Sequence, residues 1–205
     1  MPEIPDLEVI KDFLNERIAG RKIVRVDSPK PWIVRSIAAE DFADDIRGRS
    51  FGKIIRQGKD LLFPLDPDRL LVINLMLTGH LQLAEPTAKP SNRTFFVLGM
   101  PGMDLRYLDD KQMGLVYYLC PDQLDRVPRL LEQGPDALDG GLTFEEFKEH
   151  IRPYSGEIKG VLARGKFISG IGNAYVDEIL WVAKVAPFRK RRTLSDEELR
   201  AVYDA

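Results

Sequence analysis

The chain has 205 residues, 44% hydrophobic and 30% charged, enough for one large domain or two small ones with a sizeable core. Its formal net charge of -2 excludes a protein that coats nucleic acid by bulk positive charge, while a local basic face remains open. One cysteine, Cys120, excludes an intrachain disulfide and a cysteine-rich zinc site, and the two histidines, His80 and His150, supply no ligand cluster.

The opening Met1-Pro2-Glu3-Ile4-Pro5-Asp6 is acidic and broken by proline, unlike a secretory signal, and no apolar run is long enough to span a membrane. A reducing cytoplasmic setting is therefore expected. Leu7, Ile10, Phe13, Leu14 and Ile18 recur at helical spacing, and Gly20 follows as a stop, which predicts one amphipathic helix beginning a few residues after Pro2. Strand-like runs come next, at 22–27, 60–65, 70–77, 80–84, 94–98, 103–108 and 115–119, separated by Pro, Gly, Asn and Asp. Many short strands at regular spacing predict an antiparallel sandwich or barrel. From Pro121 onward the pattern turns helical. Thr143-Phe144-Glu145-Glu146 and Ser195-Asp196-Glu197-Glu198 read as capping boxes, with helices over 156–164 and 174–184 between them. The expected fold is α+β: an antiparallel β-sandwich flanked by helices over 1–130, then an all-α domain over 131–205. The last helix stops abruptly at Ala205, which reads more like a boundary or a shortened chain than a natural finish.

Residue two is a proline beside a glutamate. Initiator Met is usually trimmed before a small residue, which would leave Pro2 with a free secondary amine. An α-amino group titrates at about 7.7–8.0, and the positive end of the following helix pushes that value lower. A neutral amine there can attack the C1′ of a nucleotide and form an iminium, with Glu3 moving protons to the sugar ring oxygen. On the opening residues alone the signal is weak, because proline at position two is common.

Distant segments read together change the weighing. Residues 1–8, Gly58-Lys59-Asp60-Leu61-Leu62, Leu105-Arg106-Tyr107 with Asp109, Ile158-Lys159, and Gly170-Ile171-Gly172-Asn173-Ala174-Tyr175-Val176-Asp177-Glu178 run in order over essentially the whole chain. Together they resemble the formamidopyrimidine-DNA glycosylase and endonuclease VIII family, and the last segment resembles its helix–two-turn–helix signature. The resemblance implies Pro2 as nucleophile, Glu3 as general acid/base, Lys59 on a lesion-side phosphate or sugar, and Lys159, Gly172 and Asn173 on DNA phosphates. It further implies excision of an oxidised base, β,δ-elimination at the abasic site, and damaged double-stranded DNA as partner of a monomer in the cytoplasm, associated with the nucleoid. Backbone N–H groups at a helix start do bind phosphate, and glycines let the backbone come close. The ordinary reading of the same turn is a helix cap with Asn173 as the capping residue. Arg164, Lys166 and Arg189-Lys190-Arg191-Arg192 supply local positive charge, or a solvated face.

The sequence also departs from the family pattern. Asp6 stands where the family usually has Glu, with Glu8 close by. Leu77 stands where a Met wedge is typical, and Gln112-Met113 where Arg-Phe is typical. Leu and Met can still fill the hole left by an everted base, although both also suit core packing. Gln offers a neutral amide in place of a charged fork, which leaves the opposite-base preference and 8-oxoguanine as substrate open. Asn74 replaces a usual His, and Arg164-Gly165 a usual Asp-Gln. No cofactor is expected within these residues, since the zinc hairpin that family members often carry falls beyond Ala205. Two alternatives follow: a non-catalytic paralogue that binds abasic or damaged DNA, and a reader of structured RNA, which leaves Pro2-Glu3 unexplained.

Overall fold

The computed structural model describes residues 1–205 as two compact units, Met1–Leu131 and Glu132–Ala205. The first unit opens with helix α1 (Ile4–Ile18), which buries Ile4, Leu7, Leu14 and Ile18. Phe13, expected on the apolar face, is exposed instead, with the Arg17 guanidinium 3.7 Å from its ring centroid. The helix is followed by β1 (Arg25–Asp27), β2 (Val34–Ser36), the short helix α2 (Phe42–Ile46), β3 (Ser50–Phe51), β4 (Ile55–Gln57), β5 (Asp60–Asp66), β6 (Arg69–Asn74), β7 (Gly79–Ala84), β8 (Thr94–Met100), β9 (Met103–Asp109) and β10 (Leu115–Leu119).

These strands form two sheets. One runs β1-β8-β9-β7; the other runs β2-β10-β6-β5-β3, with β4 also paired to β5. All pairings are antiparallel except β2 with β10, where Val34 lies opposite Val116. The chain crosses from one sheet to the other between β1 and β2. The main core draws Leu61, Phe63 and Leu65 of β5, Leu71 and Ile73 of β6, Phe96 and Leu98 of β8, and Leu105 and Tyr107 of β9 together with α1. Alternate residues of the same strands, Leu62, Leu70 and Val72, face a second cluster with Tyr117, Leu119, Val127 and Leu130. Burial on both faces explains why these strands read as continuous apolar runs rather than as alternation.

The run expected as a strand over 70–77 ends earlier, at Asn74. Its side-chain Oδ1 accepts the Met76 N–H at 3.1 Å, and Met76 takes a φ of 48°, which no strand continues.

The second unit holds α3 (Phe144–Ile151), α4 (Ile158–Leu162), α5 (Asn173–Val182) and α6 (Asp196–Asp204) around Phe147, Ile158, Leu162, Phe167, Val176 and Leu199. Both expected capping boxes are present. Glu146 N–H donates to Thr143 Oγ1 at 3.3 Å and Glu198 N–H to Ser195 Oγ at 3.2 Å, and in each box the cap N–H donates to the glutamate carboxylate in return. The helix expected over 156–164 is confined to Ile158–Leu162, and the N–H groups of its first two residues bond the carbonyls of Arg189 and Pro187. No helix is long and apolar enough to cross a membrane.

Candidate active site

Pro2 immediately precedes the N-cap of α1, so its nitrogen lies at the positive end of the helix. Met1 is exposed and Glu3 is buried. Glu3 serves as N-cap, and its N–H donates to Asp6 Oδ2 at 3.0 Å in a capping box. Asp6 is therefore occupied in fixing the backbone that carries Glu3. Glu8, one turn along, holds Arg56 through Nε at 2.6 Å and also binds Lys11. Arg56 then reaches the carbonyl of Gly58 at 3.0 Å, joining α1 to the turn before Lys59. Arg56 escaped the sequence reading because nothing local marks it: its partner is 48 residues away.

Lys59 lies in the two-residue turn Gly58-Lys59 that joins β4 to β5, rather than at the start of a free strand. Gly58 has a φ of 56°, which a side chain there would resist. Burial pushes the Lys59 ammonium below its ordinary range, while the nearby Glu3 carboxylate opposes that shift. The fold thus brings Lys59 and Glu3 within electrostatic reach of each other.

The next residue, Asp60, lies opposite Asn74 and accepts from its Nδ2 at 2.9 Å. With its bond to Met76, Asn74 links the Lys59 turn to the loop that carries Leu77, which gives the residue at the usual histidine position a local purpose. Leu77 is 53% exposed and Met113 39% exposed, so core packing is excluded for both. Gln112 is exposed with a φ of 57°. Its neighbour Lys111, passed over in the sequence, keeps a cation in the same loop.

The second unit gathers Lys159, Gly172 and Asn173. The N-cap of α5 is Gly172, not Asn173, which is the exposed first helical residue. Gly172 is extended there, with φ -129° and ψ -164°. Lys159 Nζ lies 2.7 Å and 2.8 Å from the two carboxylate oxygens of Asp177, in the second turn of α5, so the lysine is held beside the helix start. Much of the nearby positive charge is paired. Arg189 binds Glu198, Lys190 lies 3.3 Å from Glu157, and Lys166 binds Glu132. Of the basic run, Arg189 and Lys190 are therefore engaged with carboxylates.

A β-sandwich unit with an N-terminal proline–glutamate corner, followed by a helical unit with a glycine-bounded turn at the start of α5, defines a two-domain class. Two family models match in that order: the formamidopyrimidine-DNA glycosylase N-terminal domain over residues 1–116 and the formamidopyrimidine-DNA glycosylase H2TH domain over residues 133–205. The chain belongs to the formamidopyrimidine-DNA glycosylase family. It is 34% identical over 210 residues to the formamidopyrimidine-DNA glycosylase of Heliobacterium modesticaldum, matching all of this chain and 75% of that protein. It is 30% identical over 205 residues to that of Desulfitobacterium hafniense, with the same coverage. The chain thus spans about three quarters of the length of these relatives. Lactococcus lactis FPG in complex with Fapy-dG containing DNA superposes with a TM-score of 0.90 at 27% identity, covering 98% of this chain and 76% of that one. A complex of LlFpg with THF-DNA and an inhibitor gives 0.90 and 27%, covering 99% and 76%.

Proposed function

We propose that the chain is a DNA repair glycosylase with AP lyase activity, acting on double-stranded DNA that carries a damaged base or an abasic site. The observation that carries this reading is the buried Glu3 capping α1 directly after Pro2, with Lys59 in electrostatic reach. Once Met1 is removed, the Pro2 amine attacks C1′, the damaged base departs, and Glu3 protonates the opening sugar ring. The iminium then acidifies the C2′ proton, and elimination breaks first the 3′ and then the 5′ C–O bond to phosphate. In this reading Lys59 holds a sugar or phosphate oxygen. Leu77, Gln112 and Met113 fill the vacated stack. Lys159, Gly172 and Asn173 hold the phosphate backbone, with the α5 N-terminus as the anion-binding element. In this reading residues 1–130 carry the chemistry and 131–205 grip DNA, in the cytoplasm at the nucleoid.

The test is a panel of duplexes, each with one oxidised purine or pyrimidine, followed by separation of the products. Cleavage leaving phosphate at both ends of a one-nucleotide gap, lost in Glu3→Gln, is the expected result. Tight binding to the same duplexes without cleavage, with Met1 absent, would replace this reading with a damage-binding paralogue.

A further inference from the structure

The two loops that carry the proposed wedge share one buried carboxylate. Asp109, at the end of β9, is 2% exposed, yet its partners come from three places in the chain. Oδ1 accepts from the Thr78 hydroxyl and from the Lys111 N–H at 3.2 Å. Oδ2 accepts from the Gly114 N–H at 2.7 Å and from the Tyr107 hydroxyl at 3.3 Å. Lys111 N–H also donates to Thr78 Oγ1 at 3.0 Å, so the two loops are joined to each other as well as to the strand.

Each loop holds a residue that prefers another conformation. Met76 has a φ of 48° and Gln112 a φ of 57°. A non-glycine residue in the left-handed region is strained and persists only where its surroundings over-determine it. Gln112 is bracketed by the two backbone N–H groups that Asp109 accepts, at Lys111 and Gly114. Close packing completes the arrangement. A Cβ on Gly79 would lie 2.8 Å from the Tyr107 hydroxyl, and one on Gly114 only 1.7 Å from it. Leu77 and Met113, each next to an anchored residue, stay exposed.

We propose that Asp109 is a positioning residue that staples the Leu77 loop to the Gln112-Met113 loop, so that eversion of a paired base depends on it while the sugar chemistry does not. The inference rests on the glycosylase reading above. Two apolar tips held at fixed spacing before DNA arrives lose little conformational freedom when they enter the stack. Asp109→Asn keeps the size of the side chain but cannot accept from four donors at once. Thr78→Val removes only the hydroxyl link, and Thr78→Ser keeps it.

The experiment compares two substrates under single-turnover conditions. One is a duplex with a paired damaged base; the other is a single-stranded abasic oligonucleotide, trapped with borohydride, in which nothing has to be everted. Excision from the duplex is expected to fall at least about tenfold in Asp109→Asn and Thr78→Val, the scale of a lost hydrogen bond to a charged group. Thr78→Ser is expected to retain wild-type excision, and trapping on the single strand to stay unchanged in all three. Equal losses on both substrates in Thr78→Val, or no loss on either, would overturn the proposal while leaving the glycosylase reading intact. A wild-type chain, free of Met1, that traps no abasic DNA would overturn both.

Discussion

The proposed catalytic corner and the wedge loops belong to the same unit, yet they constrain their residues differently. At the corner, the proposed chemistry calls for particular atoms: an amine nitrogen at residue two, a carboxylate at residue three and an ammonium at Lys59. Those residues follow the family pattern. In the loops, the proposed wedge calls only for side chains of suitable shape at a set position. There the residues drift to Leu77 and Gln112-Met113, while the scaffold beneath them stays highly specified by Asp109, Tyr107, Gly79 and Gly114.

The sharpest way to break this contrast is at the corner. Glu3→Gln should cut base excision by about 10²–10⁴-fold, the usual scale of general acid–base catalysis. Single-turnover rates on a damaged duplex measure this. A loss below tenfold would place the proton transfer elsewhere.

The loops should respond more mildly. Leu77→Ala and Met113→Ala each shorten a wedge that is already exposed, so folding should be unaffected. Each should slow excision of a paired base by about tenfold, roughly what burying a few methylenes is worth. Fluorescence of a base analogue next to the lesion would report the eversion step directly.

Much of this was legible in the sequence, and the reason lies in periodicity. The α1 stripe, the apolar runs of β5 and β6 and the two capping boxes are local signals, and each marked an element. What stayed hidden was short or non-local. Val34–Ser36, Phe42–Ile46, Ser50–Phe51 and Ile55–Gln57 are too short to show a period, and β2 exists only because β10 lies beside it. Asp41, whose side chain caps α2 by accepting from the Asp44 N–H, was the one local clue to that helix. The site divided in the same way. Pro2, Glu3 and Lys59 are marked by resemblance. Asp109 belongs to a segment that carries the resemblance, but its role in joining two loops is invisible until Thr78, 31 residues earlier, is seen to meet it. Asn173 was read as a possible cap because asparagine often caps, but here the extended backbone of Gly172 takes that position.

Asp109 also makes the contrast pH-dependent. Burial acts to raise its pKa, but hydrogen bonds from Thr78, Gly114, Lys111 and Tyr107 outweigh that and hold the carboxyl below its ordinary value. Its stabilising contribution is therefore complete above the usual carboxylate range and is lost as pH falls through the lower folded value. The stability difference between wild type and Asp109→Asn should shrink as thermal melts are taken to lower pH; a constant difference would contradict the assignment.

The smallest effects are expected in the second unit. Lys159→Ala should lower the slope of log affinity against log salt by about 1, with no change in lesion preference. Asp177→Asn should raise affinity less than about fivefold, since a partly exposed ion pair contributes about 0.2–1 kcal/mol. Titrations of duplex DNA at several salt concentrations would separate the two.

The central claim is that Pro2 is the nucleophile, and borohydride trapping on an abasic-site duplex tests it most directly. The chain is used at low salt, with Met1 removal verified by intact mass and Pro2→Gly as control. A covalent protein–DNA band whose linkage maps to Pro2, weakened in the control, is the predicted result. No band from a chain that lacks Met1 and binds the duplex, or a band mapping to Lys59 instead, would contradict it.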